Sequence, residues 1–415
     1  MKKPNSWTWI PSLYFAEGLP YVAVMTVSVI MYKKLDISNT DIAFYTSWLY
    51  LPWVIKPLWS PFVDLIKTKR WWVYSMQLLI GGGMAGIAFT IPMDFFFQAT
   101  LAFFWLMAFS SATHDIAADG FYMLGLSEDD QAFFIGIRNT FYRIAMLTGQ
   151  GLLVMLAGFL EKTTGRIPFS WSIVFSILAG IFIGLALWHK FILPRPASDI
   201  QRAGIKPQSI LTEFGKTFVS FFQKKGIVIA LLFMLTYRLG ESQLLKLASP
   251  FLLDKHEVGG LELETTQVGF AYGTVGVISL LLGGILGGIA ISKYGLKKCL
   301  WPMALAMSLP NLAYLYMACI LPENIYIINA CVGIEQFGYG FGFTAYTMYL
   351  MLFSKGEYKT SHYAICTGFM ALGMMLPGMA SGWIQEMIGY QYFFIWVMIC
   401  CIPAFLVIPF LKIKE

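Results

Sequence analysis

The chain has 415 residues, of which 58% are hydrophobic and only 13% are charged, with a mean hydropathy of +0.66. A soluble globular domain has about 25% charged residues, so this composition excludes one and predicts an integral membrane protein. The net charge of +6 does not indicate nucleic-acid binding, because the basic residues concentrate in the loops on one side of the predicted membrane region.

Twelve apolar segments are long enough to cross a bilayer, since about 20 residues cover roughly 30 Å of hydrocarbon. In chain order the predicted spans, numbered 1 to 12, are 9–32, 42–64, 71–92, 97–123, 132–160, 169–192, 226–252, 266–291, 299–321, 324–353, 362–387 and 391–411. The loops between them are short, so the sequence predicts an all-helical membrane protein without a sizeable soluble domain.

The distribution of Lys and Arg predicts the orientation. With the N-terminus inside, most of the 29 Lys and Arg residues fall in inside segments, which indicates that both termini are cytoplasmic. The longest loop, 193–225, separates two halves of six spans, and its stretch 210–222 is typical of an amphipathic helix on the inner membrane surface. We therefore predict one bundle at 1–192, a cytoplasmic loop at 193–225 and a second bundle at 226–415.

Ionisable residues recur inside the apolar spans. They are Glu17, Lys56, Asp115, Arg143, Arg238, Glu241 and Glu335. A charge in hydrocarbon costs at least about 2.5–3.5 kcal/mol, so such residues are expected to face a wet cavity and to bind or move a charged solute. This pattern predicts a transporter rather than an enzyme.

A short basic turn follows the second span of each half. The first turn contains Asp64, Lys67, Lys69 and Arg70, and the second contains Lys293, Lys297 and Lys298. A repeat of six plus six spans with this turn resembles the major facilitator superfamily. That resemblance implies two six-helix bundles that rock about a midplane site, and it favours a gating role for Asp64, Lys67, Lys69 and Arg70.

Motifs in four spans resemble the AmpG-type muropeptide permeases and the related acetyl-coenzyme A transporters. They are Lys56 with Leu58-Trp59-Ser60-Pro61 and Asp64 in span 2, Asp115 and Asp119 in span 4, Tyr142-Arg143 in span 5, and Tyr237-Arg238-Leu239-Gly240-Glu241 in span 7. His114 departs from the family, which has glutamine there. The resemblance implies proton-coupled import of a peptidoglycan fragment, an anhydro-disaccharide with or without peptide, across the bacterial inner membrane.

The candidate substrate-binding residues are cationic and aromatic. Lys56 and Arg238 are predicted to anchor a carboxylate or phosphate, and a pair of Arg238 with Glu241 is the alternative. Arg143 joins them through the family motif. Sugar rings are expected to stack on aromatic side chains near these cations, namely Tyr21, Trp53, Tyr237 or Tyr346.

Five carboxylic acids are candidates for proton coupling: Glu17, Asp115, Asp119, Glu241 and Glu335. Asp115 and Asp119 lie one helical turn apart, and two close like charges favour proton binding by one of them. The alternative is an ion pair of either residue with Arg138 or Arg143. His114 is interpreted as a proton relay or as a hydrogen-bonded packing residue, and Glu241 is favoured because it matches the acid of the family.

Other motifs favour neither a cofactor nor a metal site. Gly81-Gly82-Gly83 lies in mid-span without the features of a phosphate loop, and the six cysteines show no ligand spacing. Gly283, Gly284, Gly287 and Gly288 form a small-residue face for close packing, whereas Gly338, Gly340 and Gly342 are interpreted as loosening span 10.

The expected partners are a small solute, protons and lipids, and the protein is expected to be a monomer. The alternative solutes are acetyl-coenzyme A or another small anion. A remote alternative is a membrane-embedded acyl- or glycosyl-transferase that uses His114 and Asp115.

Overall fold

The computed structural model describes residues 5–199, 207–356 and 358–413. Throughout these ranges the regular structure is helical, without a β-strand. Helices satisfy their own backbone N–H and C=O groups, which is the requirement that a hydrocarbon environment places on any segment crossing it.

Eighteen α-helices follow one another along the described chain. The first nine are α1 Ile10–Val22, α2 Ser28–Lys34, α3 Asn39–Trp48, α4 Leu51–Ile66, α5 Lys69–Thr90, α6 Phe96–Gly125, α7 Glu128–Met146, α8 Val154–Thr164 and α9 Ile167–Ile192. The other nine are α10 Pro207–Phe222, α11 Ile227–Thr236, α12 Leu239–Leu253, α13 Thr265–Val268, α14 Val277–Tyr294, α15 Leu296–Ser308, α16 Leu312–Ile320, α17 Ile325–Phe353 and α18 Lys359–Val407.

These helices confirm the predicted twelve-helix fold. In the described ranges, 9 helical stretches are long and apolar enough to cross a membrane, and the last of them, Ser361–Phe410, contains both span 11 and span 12. The two spans are joined at Gly389, whose φ of 74° departs from a helix. Span 2 is divided between α3 and α4, and span 10 is α17.

Three of the spans contain a π-helical turn. These wide turns are Ala23–Val27 in span 1, Leu147–Leu153 in span 5 and Gly269–Gly276 in span 8. The first two turns are in contact: Gln150 Nε2 of the second turn donates a hydrogen bond to Thr26 Oγ1 of the first at 3.2 Å. Such turns are rare and occur often at functional sites.

The chain forms two compact units. Unit 1 comprises Met1–Met31 and Ile55–Ile210, and unit 2 comprises Tyr32–Val54 and Leu211–Glu415. Residues 32–54 therefore pack with the second half of the sequence, although the predicted bundle boundaries place them with the first half. The helix predicted at 210–222 is present as α10, and its Phe221 is buried in the core of unit 2.

Glycines allow α14 and α17 to pack closely in unit 2. A Cβ at Gly340 would overlap the carbonyl oxygen of Leu280, and a Cβ at Gly283 would overlap that of Phe337. The predicted close packing is confirmed for Gly283, whereas it is wrong for Gly288, which has no atom of the described residues within 4 Å of its Cβ position. Gly340 also packs closely, and the interpretation that it loosens span 10 stays a prediction.

This packing predicts a large difference between two glycine substitutions. Gly340→Ala is expected to lower the melting temperature of the purified protein, because overpacking costs about 1–3 kcal/mol. Gly288→Ala is the matched control, since no atom lies within 4 Å of the position of its Cβ. Equal melting temperatures for the two variants would contradict this account of the α14–α17 contact.

Candidate functional site

Two ion pairs in unit 1 connect α4, α6 and α7. Lys56 Nζ lies 3.5 Å from Asp115 Oδ2, and Arg138 lies 2.9 Å from Asp119 Oδ1. The pairing of Asp119 with Arg138 confirms one of the two alternatives for this residue, whereas Asp115 has Lys56 as its ion-pair partner rather than Arg143. The four side chains are between 16% and 41% exposed, so they remain accessible to a polar solute.

Glu17 adds a third carboxyl group to this cluster. It is buried in α1, its Oε2 has no hydrogen-bond partner, and it interacts electrostatically with Asp115 and Asp119. Tyr14 donates a hydrogen bond to Asp119 Oδ1 at 3.3 Å. The cluster of Glu17, Lys56, Asp115, Asp119 and Arg138 therefore holds one more carboxyl group than cations.

Arg143 and Tyr21 lie in the same unit. Arg143 is half-buried and contacts Met146 Sδ at 3.4 Å, and no carboxylate oxygen of the described residues lies within 4.0 Å of its guanidinium. Tyr21 is also half-buried. The roles of Arg143 and Tyr21 as substrate contacts therefore stay predictions. In the described part of the chain, Arg143 forms no direct ion pair.

His114 belongs to a buried hydrogen-bonded chain that links four spans. Its Nε2 lies 2.9 Å from Gln77 Nε2, Gln77 Oε1 lies 2.8 Å from His189 Nδ1, and His189 Nε2 lies 2.9 Å from Ser12 Oγ. These contacts agree with a packing histidine, the second of the two interpretations of His114. Neither His189 nor Gln77 was singled out from the sequence, because neither belongs to a motif recognised there.

Arg238 in unit 2 is a buried cation without a direct counter-ion. One terminal nitrogen donates to Tyr339 Oη at 2.6 Å, and the guanidinium lies 4.9 Å from the ring centre of Phe343. Its Nε has no hydrogen-bond partner. No carboxylate oxygen of the described residues lies within 4.0 Å, so the alternative ion pair with Glu241 is not formed.

Glu241 and Glu335 are two buried carboxyl groups of unit 2, and Glu241 interacts electrostatically with Arg238. Glu241 is 2% exposed and neither of its oxygens has a hydrogen-bond partner. Glu335 is 1% exposed and accepts a hydrogen bond of 2.9 Å from Gln336, and the two glutamates interact electrostatically. A buried carboxylate without donors is poorly solvated, so these groups are suited to binding and releasing a proton.

The aromatic candidates of unit 2 differ in their surroundings. Tyr237 and Tyr346 stack at 5.1 Å, and their hydroxyls donate to the carbonyl oxygens of Gly342 and Met234. These are the contacts of core side chains and do not support the predicted sugar stacking on either ring. Trp53 is half-buried, and its role stays a prediction.

The basic turn after span 2 is tied to the loop that follows span 6. The backbone N–H groups of Lys69 and Arg70 donate to the carboxylate of Asp199 at 2.7 and 3.0 Å, and Arg70 also donates to the carbonyl oxygens of Lys190 and Leu193. Asp199 thus caps α5, a contact that the sequence did not indicate. Lys67 is exposed, and the side chain of Asp64 lies outside the described ones.

A polar cluster missed by the sequence analysis holds residues 32–54 within unit 2. Asp254 forms an ion pair of 2.6 Å with Lys33 and accepts hydrogen bonds from Asn39 and Tyr390. Asn39 Nδ2 lies 2.7 Å from Gln385 Oε1. Only the charges of Lys33 and Asp254 are visible in the sequence, and nothing there shows that the two meet.

The twelve-helix fold and the buried charges within its spans define a membrane transporter. Residues 12–358 match the family model of the Major Facilitator Superfamily, and the chain belongs to this family. It is a multi-pass transporter of small molecules, not an enzyme, and the predicted resemblance to this superfamily is confirmed.

Curated relatives extend the resemblance over nearly the whole chain. A putative transporter AmpG 4 of Rickettsia conorii is 26% identical over 97% of this chain and 95% of the relative. The anhydromuropeptide permease of Escherichia coli K12 is 24% identical over 95% of this chain and 77% of the permease. The predicted similarity to AmpG-type permeases is thereby confirmed.

Solved structures support the fold. A D-xylose-proton symporter has a TM-score of 0.71 at 11% identity and covers 99% of this chain and 98% of its own. The nucleoside transporter NupG has a TM-score of 0.69 at 16% identity, with coverage of 99% and 100%. At these identities the likeness concerns the fold alone.

Proposed function

We propose that the protein imports anhydro-muropeptides, or related amino-sugar fragments of the cell wall, by proton symport across the bacterial inner membrane. The buried Arg238, which has no carboxylate partner within 4.0 Å among the described residues, carries the proposal. A buried cation that makes no direct ion pair within the described ranges is suited to an anionic solute. The names of the curated relatives support the choice of muropeptide.

We propose substrate-binding roles for three cations. In unit 2, Arg238 binds a carboxylate of the solute, and in unit 1, Lys56 and Arg143 are basic contacts for anionic groups. Tyr21 and Trp53 supply ring faces for the sugars. The acids Glu241, Glu335, Glu17, Asp115 and Asp119 are the proposed proton carriers, with Glu241 first because neither of its oxygens has a hydrogen-bond partner.

The proposed arrangement in the membrane follows from the basic loops. Both termini are cytoplasmic, the protein acts as a monomer surrounded by lipid, and Asp64, Lys67, Lys69 and Arg70 form the cytoplasmic gate. The contacts of Lys69 and Arg70 with Asp199 support a gate in which the inter-bundle loop takes part.

Uptake of a radiolabelled anhydro-muropeptide into vesicles tests this function. We expect accumulation when an inward proton gradient is imposed and none after a protonophore is added. Undiminished accumulation with a collapsed gradient would exclude proton symport. Absence of uptake under every gradient, with folded protein present, would exclude muropeptide as the solute.

The ion pair of Lys56 and Asp115 leads to a further prediction. Lys56→Ala and Asp115→Asn are each expected to reduce uptake by about 10-fold or more, since removing one member of a partly buried pair leaves the other charge uncompensated. Uptake and membrane expression of both variants are measured together. Uptake at the wild-type level in both variants would remove this pair from the site.

A further inference from the structure

Unit 2 contains a second buried cation, Lys246. It lies in α12, eight residues after Arg238, and is 3% exposed. Its ammonium group donates a hydrogen bond of 2.9 Å to Thr46 Oγ1 and lies 5.2 Å from the ring centre of Tyr50. Both partners belong to residues 32–54, which pack within the same unit.

The surroundings of Lys246 solvate its charge only in part. An ammonium group has three N–H donors, and the Thr46 hydroxyl takes one of them without neutralising the charge. No carboxylate oxygen of the described residues lies within 4.0 Å of Lys246 Nζ. A buried, unpaired cation lowers the stability of a protein, so its presence indicates a purpose other than stability.

Lys246 lies within α12, and Arg238 is the residue immediately before the first residue of that helix. Arg238 likewise lacks a carboxylate within 4.0 Å among the described residues and has an unpaired Nε. Tyr50, which contacts Lys246, is also close enough to Arg238 to interact with it electrostatically.

We propose that Lys246 binds a second anionic group of the transported solute, so that the transporter selects solutes with at least two negative charges. This inference rests on the proposed function of unit 2 as the site of an anionic solute. Carboxylates of a peptide-bearing muropeptide and phosphates of a coenzyme A ester both supply such charges. A peptide-free anhydro-disaccharide carries a single carboxylate and lacks the second group.

The test compares binding of three ligands to the purified full-length protein. The ligands are the peptide-free anhydro-disaccharide, its tripeptide-bearing form and acetyl-coenzyme A, and the variants are Lys246→Met and the exposed loop control Lys255→Met. We expect Lys246→Met to weaken binding of the tripeptide form by about 10- to 100-fold, because this substitution removes one charge-assisted hydrogen bond to the ligand. Binding of the peptide-free form is expected to change by less than about 3-fold, because its one carboxylate binds Arg238.

The outcomes separate this inference from the proposed function. Equal weakening of both muropeptides, or no weakening of the tripeptide form, overturns the role of Lys246. Binding of acetyl-coenzyme A alone, lost in Lys246→Met, refutes the muropeptide proposal and supports a second anion site. If the wild type binds none of the three ligands, the melting temperatures of the wild type and of Lys246→Met test the inference. A melting temperature of Lys246→Met that is equal to or lower than that of the wild type overturns the inference, whereas a higher one supports an uncompensated charge kept for a ligand.

Discussion

Replacement of Arg238 by alanine is expected to reduce muropeptide uptake by about 100-fold or more, the usual effect of removing a buried partner of a charged group. The guanidinium is held by Tyr339 Oη and by the ring of Phe343, while its Nε has no partner. The side chain is thus positioned by neutral groups. Initial uptake rates in vesicles, normalised to the amount of protein, measure the effect.

Two further substitutions distinguish charge from geometry at this position. Arg238→Lys retains the positive charge but loses the planar fork that binds a carboxylate through two hydrogen bonds, so an intermediate loss of about 10-fold is expected. Arg166→Ala removes an exposed arginine of another loop and serves as the control. Wild-type uptake by Arg238→Ala would show that Arg238 does not bind the solute.

Replacement of Glu241 by glutamine is expected to abolish accumulation against a gradient and to preserve exchange of solute between the two sides. Glutamine has nearly the same shape but cannot carry a proton, and the native carboxyl oxygens have no hydrogen bonds to lose. A transporter without its proton site equilibrates its solute but no longer concentrates it. Accumulation under an imposed proton gradient and counterflow from preloaded vesicles measure the two activities separately.

The control for this experiment is Glu257→Gln, which changes an exposed acid. Accumulation at the wild-type level in Glu241→Gln would exclude Glu241 as the proton carrier and would direct the same experiment to Glu335 and Glu17. Loss of both accumulation and counterflow would instead place Glu241 in the binding or folding of unit 2.

The sequence predicted the spans and the buried charges because both depend on local composition. A run of about 20 apolar residues can be recognised without knowledge of any contact. The same holds for the free-energy cost of placing a charged residue such as Arg238 or Glu241 within that run. The fold therefore followed from hydropathy and from the resemblance to a family.

The pairing of those charges was not predictable, because it depends on which helices are neighbours. Arg138 and Arg143 were the expected partners of Asp115, whereas the structure places Lys56 of α4 beside it. The contact of Lys246 with Thr46 joins residues that are 200 positions apart in the sequence. The close packing of Gly340 depends equally on the distant carbonyl group of Leu280.

The two adjacent π-helical turns, Ala23–Val27 and Leu147–Leu153, have a consequence for how span 1 moves. The first ends four residues before Met31, where the chain leaves unit 1, and continues as α2 into Tyr32 of unit 2. When a π-helical turn converts to an α-helical turn, the residues after it shift by about one position around the helix axis, and the helix stays continuous. The residues of span 1 before and after 23–27 can therefore change their rotation about the helix axis, and we expect a single-residue deletion within 23–27 to prevent this change.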